Sequence, residues 1–147
     1  MAVKRKQNWE FALHEFFTGR AGDPFVYGTN DCAIFVADAV KAATGTDIAC
    51  DFRGKYKTEL GSLKALRQVC GGTTVEHAIE YASRQHALEE LPSVYYAHRG
   101  DVVLFDNVDG KALGIVYLNG KDAVFTGPDG LRKIPVKQCK RAWRVNY

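Results

Sequence analysis

The apolar pattern of this chain changes once, near residue 100, and that change limits the folds open to it. Before it, apolar side chains recur every three or four positions in four successive stretches, the spacing that puts them on one face of a helix. After it they fall in short alternating or clustered runs, punctuated by Asp109-Gly110, Asn119-Gly120 and Asp129-Gly130, the dipeptides of tight hairpins. Strands joined by such turns must pair antiparallel, and helices followed by a strand meander define an α+β domain.

The first stretch sets Trp9, Leu13, Phe16 and Phe17 on one face and predicts a helix over 6–18, ended by the glycines between 19 and 22. Asn30 or Asp31 caps a second helix through Thr44, stopped by Gly45, with Cys32, Phe35, Val36, Ala39, Val40 and Ala43 inward. A third begins near Thr58, turns Leu63, Leu66, Val69 and Cys70 inward and ends at Gly71-Gly72. The fourth begins near Thr74 with Val75, Ala78, Ile79 and Ala82 facing in, and leaves through the charged Glu89-Glu90 toward Pro92. Strands are predicted over 101–105, 112–118, 122–126, 130–134 and 141–146. One domain spans 1–147, helical over 1–92 and an antiparallel sheet of about five strands over 100–147.

Composition narrows function mainly by exclusion. Twenty basic against 17 acidic side chains leave a net charge of +3, too small an excess to point to nucleic acid. Lys4, Arg5 and Lys6 precede a polar Gln7-Asn8, so no signal peptide is read, and no run approaches the ~18 apolar residues of a membrane span. The expectation is a protein made in the cytoplasm, without membrane insertion. Cys32, Cys50, Cys70 and Cys139 form no CxxC pair, so neither a zinc site nor a disulfide framework is expected, and no cofactor is called for. The basic residues interleaved with Leu131, Ile134, Val136, Trp143 and Val145 read as a half-exposed strand surface.

Cys32 carries the chemical interest. A thiol at a helix N-terminus lies beside unpaired N–H groups and the positive end of the helix dipole, which favour thiolate and can stabilise an oxyanion. The run Pro24-Phe25-Val26-Tyr27-Gly28-Thr29-Asn30-Asp31-Cys32 resembles the approach to the catalytic helix of NlpC-type peptidases, papain-like cell-wall enzymes common in phage tail-tip modules. Arg99-Gly100-Asp101-Val102-Val103-Leu104-Phe105 resembles that family's first core strand, which opens with a Gly-Asp pair, and Ala112-Leu113-Gly114-Ile115-Val116 resembles the next. The resemblance implies a papain-like fold, Cys32 as nucleophile and a histidine base at the start of the second strand.

That histidine position is Ala112 here, and the position of the residue that orients it falls near Phe125 or Thr126. The family's Ser-Gly pair after the cysteine is Ala33-Ile34, and its tyrosine after the proline is Phe25. Of the four histidines, His14, His77 and His86 fall on predicted helices. His98, just before the first core strand, is the weak candidate for a relocated base. A free cysteine at the head of an apolar helical face is equally a packing residue. Two readings follow. One is a degenerate peptidase acting as a structural or assembly protein of a phage or prophage tail, with tail-tip or hub proteins, and peptidoglycan, as partners. The other is an active cysteine peptidase or amidase cutting peptidoglycan stem peptides through Cys32. A cleft that binds a cell-wall peptide without cutting it is a third.

Overall fold

A computed structural model describes residues 3–147. Four helices, α1 (Trp9–Arg20), α2 (Cys32–Thr44), α3 (Glu59–Cys70) and α4 (Val75–His86), precede the strands. These are β1 (Glu89–Glu90), β2 (Val102–Asn107), β3 (Gly110–Val116), β4 (Asp122–Gly127), β5 (Gly130–Pro135) and β6 (Arg141–Arg144). The strands form one antiparallel sheet in the order β1-β6-β2-β3-β4-β5. The α+β expectation therefore holds, with six strands instead of five.

The helix boundaries follow local chemistry. Asp31, Thr58 and Thr74 each accept a hydrogen bond from a first-turn N–H, and Gly45 and Gly71 close α2 and α3 in the left-handed conformation that glycine adopts without strain. The expected first helix differs at both ends. Lys4 bridges to Asn146 and the Arg5 N–H donates to the Asn146 carbonyl, so residues 4–6 follow the last strand and the helix starts only at Trp9. At its far end Gly19 stays helical, because Arg20 is held by the Asn30 side chain at 2.8 Å and by Asp38 at 2.7 Å. Glu89 and Glu90, read as the charged exit of α4, form the edge strand β1 against Trp143 and Arg144. Arg141 joins Glu90, Glu76 and Glu80 at 2.7–3.0 Å, which holds these carboxylates in place there.

Helix α2 is the spine of the core. Ile34 and Ala37 are buried along with the apolar face expected from periodicity, so it is enclosed nearly all round by α1, α4 and the sheet. Each buried residue as large as Phe35 or Val40 contributes roughly 1.5–3 kcal/mol. On the other face of the sheet Val103, Phe105, Ala123 and Ala142 pack under the segments around Val94 and Val136. Helix α3 is the least anchored, with only Ala65 and Leu66 buried, while Leu63, expected to face inward, is exposed. It rests on α4 through a small cluster of Phe52, Leu66 and Ala78 and forms an outer wall.

The Gly100-Asp101 pair opens β2, and Asp101, fully buried, ties the two ends of the chain together. Its Oδ1 accepts from Arg5 Nη2 at 2.9 Å and from the Val145 N–H at 3.0 Å, and its Oδ2 from Arg144 Nε and the His98 N–H, both at 2.8 Å. The Arg5 guanidinium sits in the corner formed by the Trp9 and Tyr147 rings, which meet edge to face, 4.2 Å from each ring centre. Replacing Asp101 by Asn leaves Arg5 buried without its counter-charge, and a loss of roughly 3–5 kcal/mol in urea unfolding is expected. A loss below about 1 kcal/mol contradicts this role.

Candidate functional site

The site begins with how Asp31 starts α2. Its Oδ1 accepts from the Ile34 N–H at 2.9 Å, and its Oδ2 accepts from the Gly28 N–H at 2.9 Å and the Tyr56 hydroxyl at 2.6 Å. Asn30 orders the preceding loop, donating to the Pro24 carbonyl at 2.8 Å and accepting from Arg20. Gly28 has φ +87, and a Cβ there would run into the Tyr56 carbonyl oxygen. Only glycine lets the two loops close enough for Tyr56 to reach Asp31. The second loop is tied down by Arg53, which bridges Asp38 at 2.7 Å and Asp47 at 2.8 Å.

Cys32 follows Asp31 as the first residue of α2 and lines a cleft of about 590 Å³. Strands β3 and β4 pair at Ile115↔Val124 and Val116↔Ala123. Beyond that ladder the β2–β3 and β4–β5 hairpins contribute opposite walls, Ala112 on one and Phe125 and Thr126 on the other, while α3 and α4 add Leu66 and Ala78. Cys32, Ala112, Phe125 and Thr126 all line the cleft, so the positions of the nucleophile, of the base and, at Phe125 or Thr126, of the orienting residue that the resemblance implies share it. The group beside the cysteine on the β3 wall is a methyl.

His98 is not brought in. It is exposed at the start of β2, its N–H donated to Asp101, whereas the cleft opens at the other end of that strand, beside Asn107 and Val108. His14 is exposed on α1, His77 sits in the first turn of α4 with Nδ1 accepting from the Thr73 N–H, and His86 ends that helix. None of the four lines the cleft. Among the described residues no cluster of three or more His, Cys, Asp or Glu is arranged to hold a metal, and no helix is long and apolar enough to cross a membrane.

The surroundings of Cys32 act against the helix-end field. Cys32 is half-buried as a residue, but its sulfur is so closely packed that burial, joined by the adjacent Asp31 charge, pushes the thiol from an ordinary 9.0 up to about 11. The N–H groups of Leu113, Ala33 and Cys32 itself pull the other way and lose. Tyr56 is likewise raised, first by burial and then by Asp31, so it stays a hydrogen-bond donor. Partial burial and the carboxylates Glu59, Asp31 and Asp109 raise Tyr27 on the rim.

Sequence gives no signal for Tyr56 and Tyr27 as site residues, because both lie in loops without periodicity, and Arg132 reads as one of several cations on a half-exposed strand.

Fold and site define a class: an α+β domain with a helix-borne cysteine at the head of a largely apolar cleft. The family described as Domain of unknown function (DUF6950) matches residues 4–145, nearly the whole chain, and the protein belongs to it. No curated protein matches the chain.

The raised thiols have a consequence for stability. Burial raises the thiols of both Cys32 and Cys139 to about 11 in the folded state, from the ordinary 9.0 that applies to the unfolded chain. The unfolded chain therefore holds fewer protons between these values, and folding stability falls as pH rises from about 9 through about 11. Urea midpoints measured across that window are expected to drop, and to drop less in Cys32→Ala. An equal slope in wild type and variant contradicts the assigned burial of Cys32.

Proposed function

We propose that this protein is a catalytically silent relative of NlpC-type, papain-like peptidases that serves as a structural or assembly component of a phage or prophage tail, near the tip that meets the cell wall. The observation that carries the first half is Ala112. A cysteine peptidase needs a base within hydrogen-bond reach of its thiol and later of its leaving group, and the cleft that Cys32 lines holds the Ala112 methyl at that position and none of the four histidines. A thiol raised to about 11 fits a side chain that no base activates.

A papain-like ancestry is supported by three features in the order the resemblance implies. These are a cysteine heading a core helix, a Gly-Asp pair opening the first long strand, and an antiparallel partner strand passing beside that cysteine. The tail assignment rests on the resemblance alone, and its partners would be tail-tip or hub proteins. Fold and activity separate readily, so a silent site is compatible with a retained scaffold.

The alternative, an active peptidase or amidase with Cys32 as nucleophile, is decided by turnover. Purified protein incubated with peptidoglycan stem peptides is expected to release no product above that of Cys32→Ala, followed by mass spectrometry at pH 6–9. Cleavage by wild type that disappears in Cys32→Ala overturns the silent reading.

A further inference from the structure

Residues 55–70, helix α3 and the turn that leads into it, form the cleft wall that the rest of the molecule holds least. Only Ala65 and Leu66 of α3 are buried, against seven residues of α2. Among the described residues no ion pair joins this segment to the rest of the chain. Its ends carry two local bonds, the Lys55 N–H to the Phe52 carbonyl and the Gly71 N–H to the Arg67 carbonyl. Beyond those, one hydrogen bond leaves the segment, from the Tyr56 hydroxyl to Asp31 Oδ2 at 2.6 Å. The apolar hold is the small cluster in which Leu66, Tyr56, Val69 and Cys70 meet Phe52 and Ala78. An element with so few ties opens at a lower cost than the whole fold.

Glycines flank the segment. Gly54 has φ +79 and Gly71 φ +73, left-handed conformations that glycine takes freely, and a Cβ added at either would meet nothing within 4 Å. Just outside them the chain is fixed: Arg53 by Asp38 at 2.7 Å and Asp47 at 2.8 Å, and Gly72 by the His77 side chain packed against its backbone. Free joints between fixed points and a lightly held element are the parts of a hinge. Releasing Tyr56 would leave the start of α2 in place, because Asp31 still accepts from the Ile34 and Gly28 N–H groups. Tyr56, Ser62 and Leu66 line the cleft, and the Tyr56 hydroxyl lies within electrostatic reach of the Cys32 sulfur. Outward movement of residues 55–70 therefore takes away the wall beside Cys32.

We propose that residues 55–70 are a lid on the cleft, hinged at Gly54 and Gly71 and latched by the Tyr56 hydroxyl on Asp31, which sets how readily the inner cleft and the Cys32 sulfur are reached. The lid needs no chemistry from Cys32 and no role in a tail, so it stands or falls apart from the proposed function.

The test is amide hydrogen exchange of the full-length protein by NMR, joined to labelling of Cys32 by a thiol reagent and located by peptide mass spectrometry. A 12-residue helix detached from its support is marginal in water, so the amides of α3 exchange when the lid opens. They are expected to exchange about tenfold or more faster than those of α2 after correction for intrinsic rates, with little change in urea well below the unfolding midpoint. Tyr56→Phe keeps the ring and removes the latch. A hydrogen bond to a carboxylate is worth about tenfold or more in such an equilibrium, so α3 exchange and Cys32 labelling are each expected to rise by about that factor. Losing the hydroxyl leaves the Asp31 charge less shared beside the sulfur, which by itself slows the thiol, so faster labelling reports access. Protection of α3 equal to that of α2, Cys32 labelling that follows global unfolding in urea, or unchanged rates in Tyr56→Phe overturns the proposal.

Discussion

Both oxygens of the Asp31 carboxylate are committed, one to the first turn of α2 and the other to Gly28 and Tyr56, and the cleft takes its form from that commitment. The cap decides where α2 begins, and so where Cys32 stands. The bond from Tyr56 draws the loop that follows α2 over the loop that precedes it, closing one side of the cleft. The same carboxylate places a negative charge against the neighbouring sulfur. A helix N-terminus alone favours thiolate, but here burial and Asp31 together outweigh the three N–H groups that point toward the sulfur. The carboxylate that positions the cysteine thus adds, behind burial, to the raising of its thiol.

The other buried carboxylate does structural work at the opposite end of β2. Asp101 gathers Arg5, Arg144, Val145 and His98 around one side chain, which explains why a Gly-Asp pair opens this strand without any part in the cleft. The polar ties that hold the chain ends together are thus separated from the cleft, whose walls are mostly apolar.

Periodicity made most of the fold legible. Helix caps at Asp31, Thr58 and Thr74 and hairpins at Asp109-Gly110 and Asp129-Gly130 are local signals, and local signals survive folding. What failed was decided by partners distant in sequence: Arg20 holding the end of α1, Asn146 keeping residues 4–6 out of it, and Arg141 gathering the glutamates of α4 and β1. The site was legible as a set of positions, since Cys32, Ala112 and Phe125 or Thr126 do converge. Its electrostatics were not. The level of the Cys32 thiol depends on how far burial outweighs the N–H groups around the sulfur, and the unsatisfied Thr126 hydroxyl depends on what fails to reach it. Neither is written in residue spacing.

The central claim is that Cys32 is a packing residue at the head of a cleft that does no covalent chemistry. Its most direct test is the rate of Cys32 alkylation against pH, in protein carrying Cys50→Ala, Cys70→Ala and Cys139→Ala, with Cys32→Ala added as the blank. Slow reaction at neutral pH with a midpoint near 11 is the expected result. Fast reaction of the folded protein with a midpoint below the ~8.5 of an ordinary thiol would contradict the account, because it would mean that a base or an unopposed helix-end field acts on the sulfur.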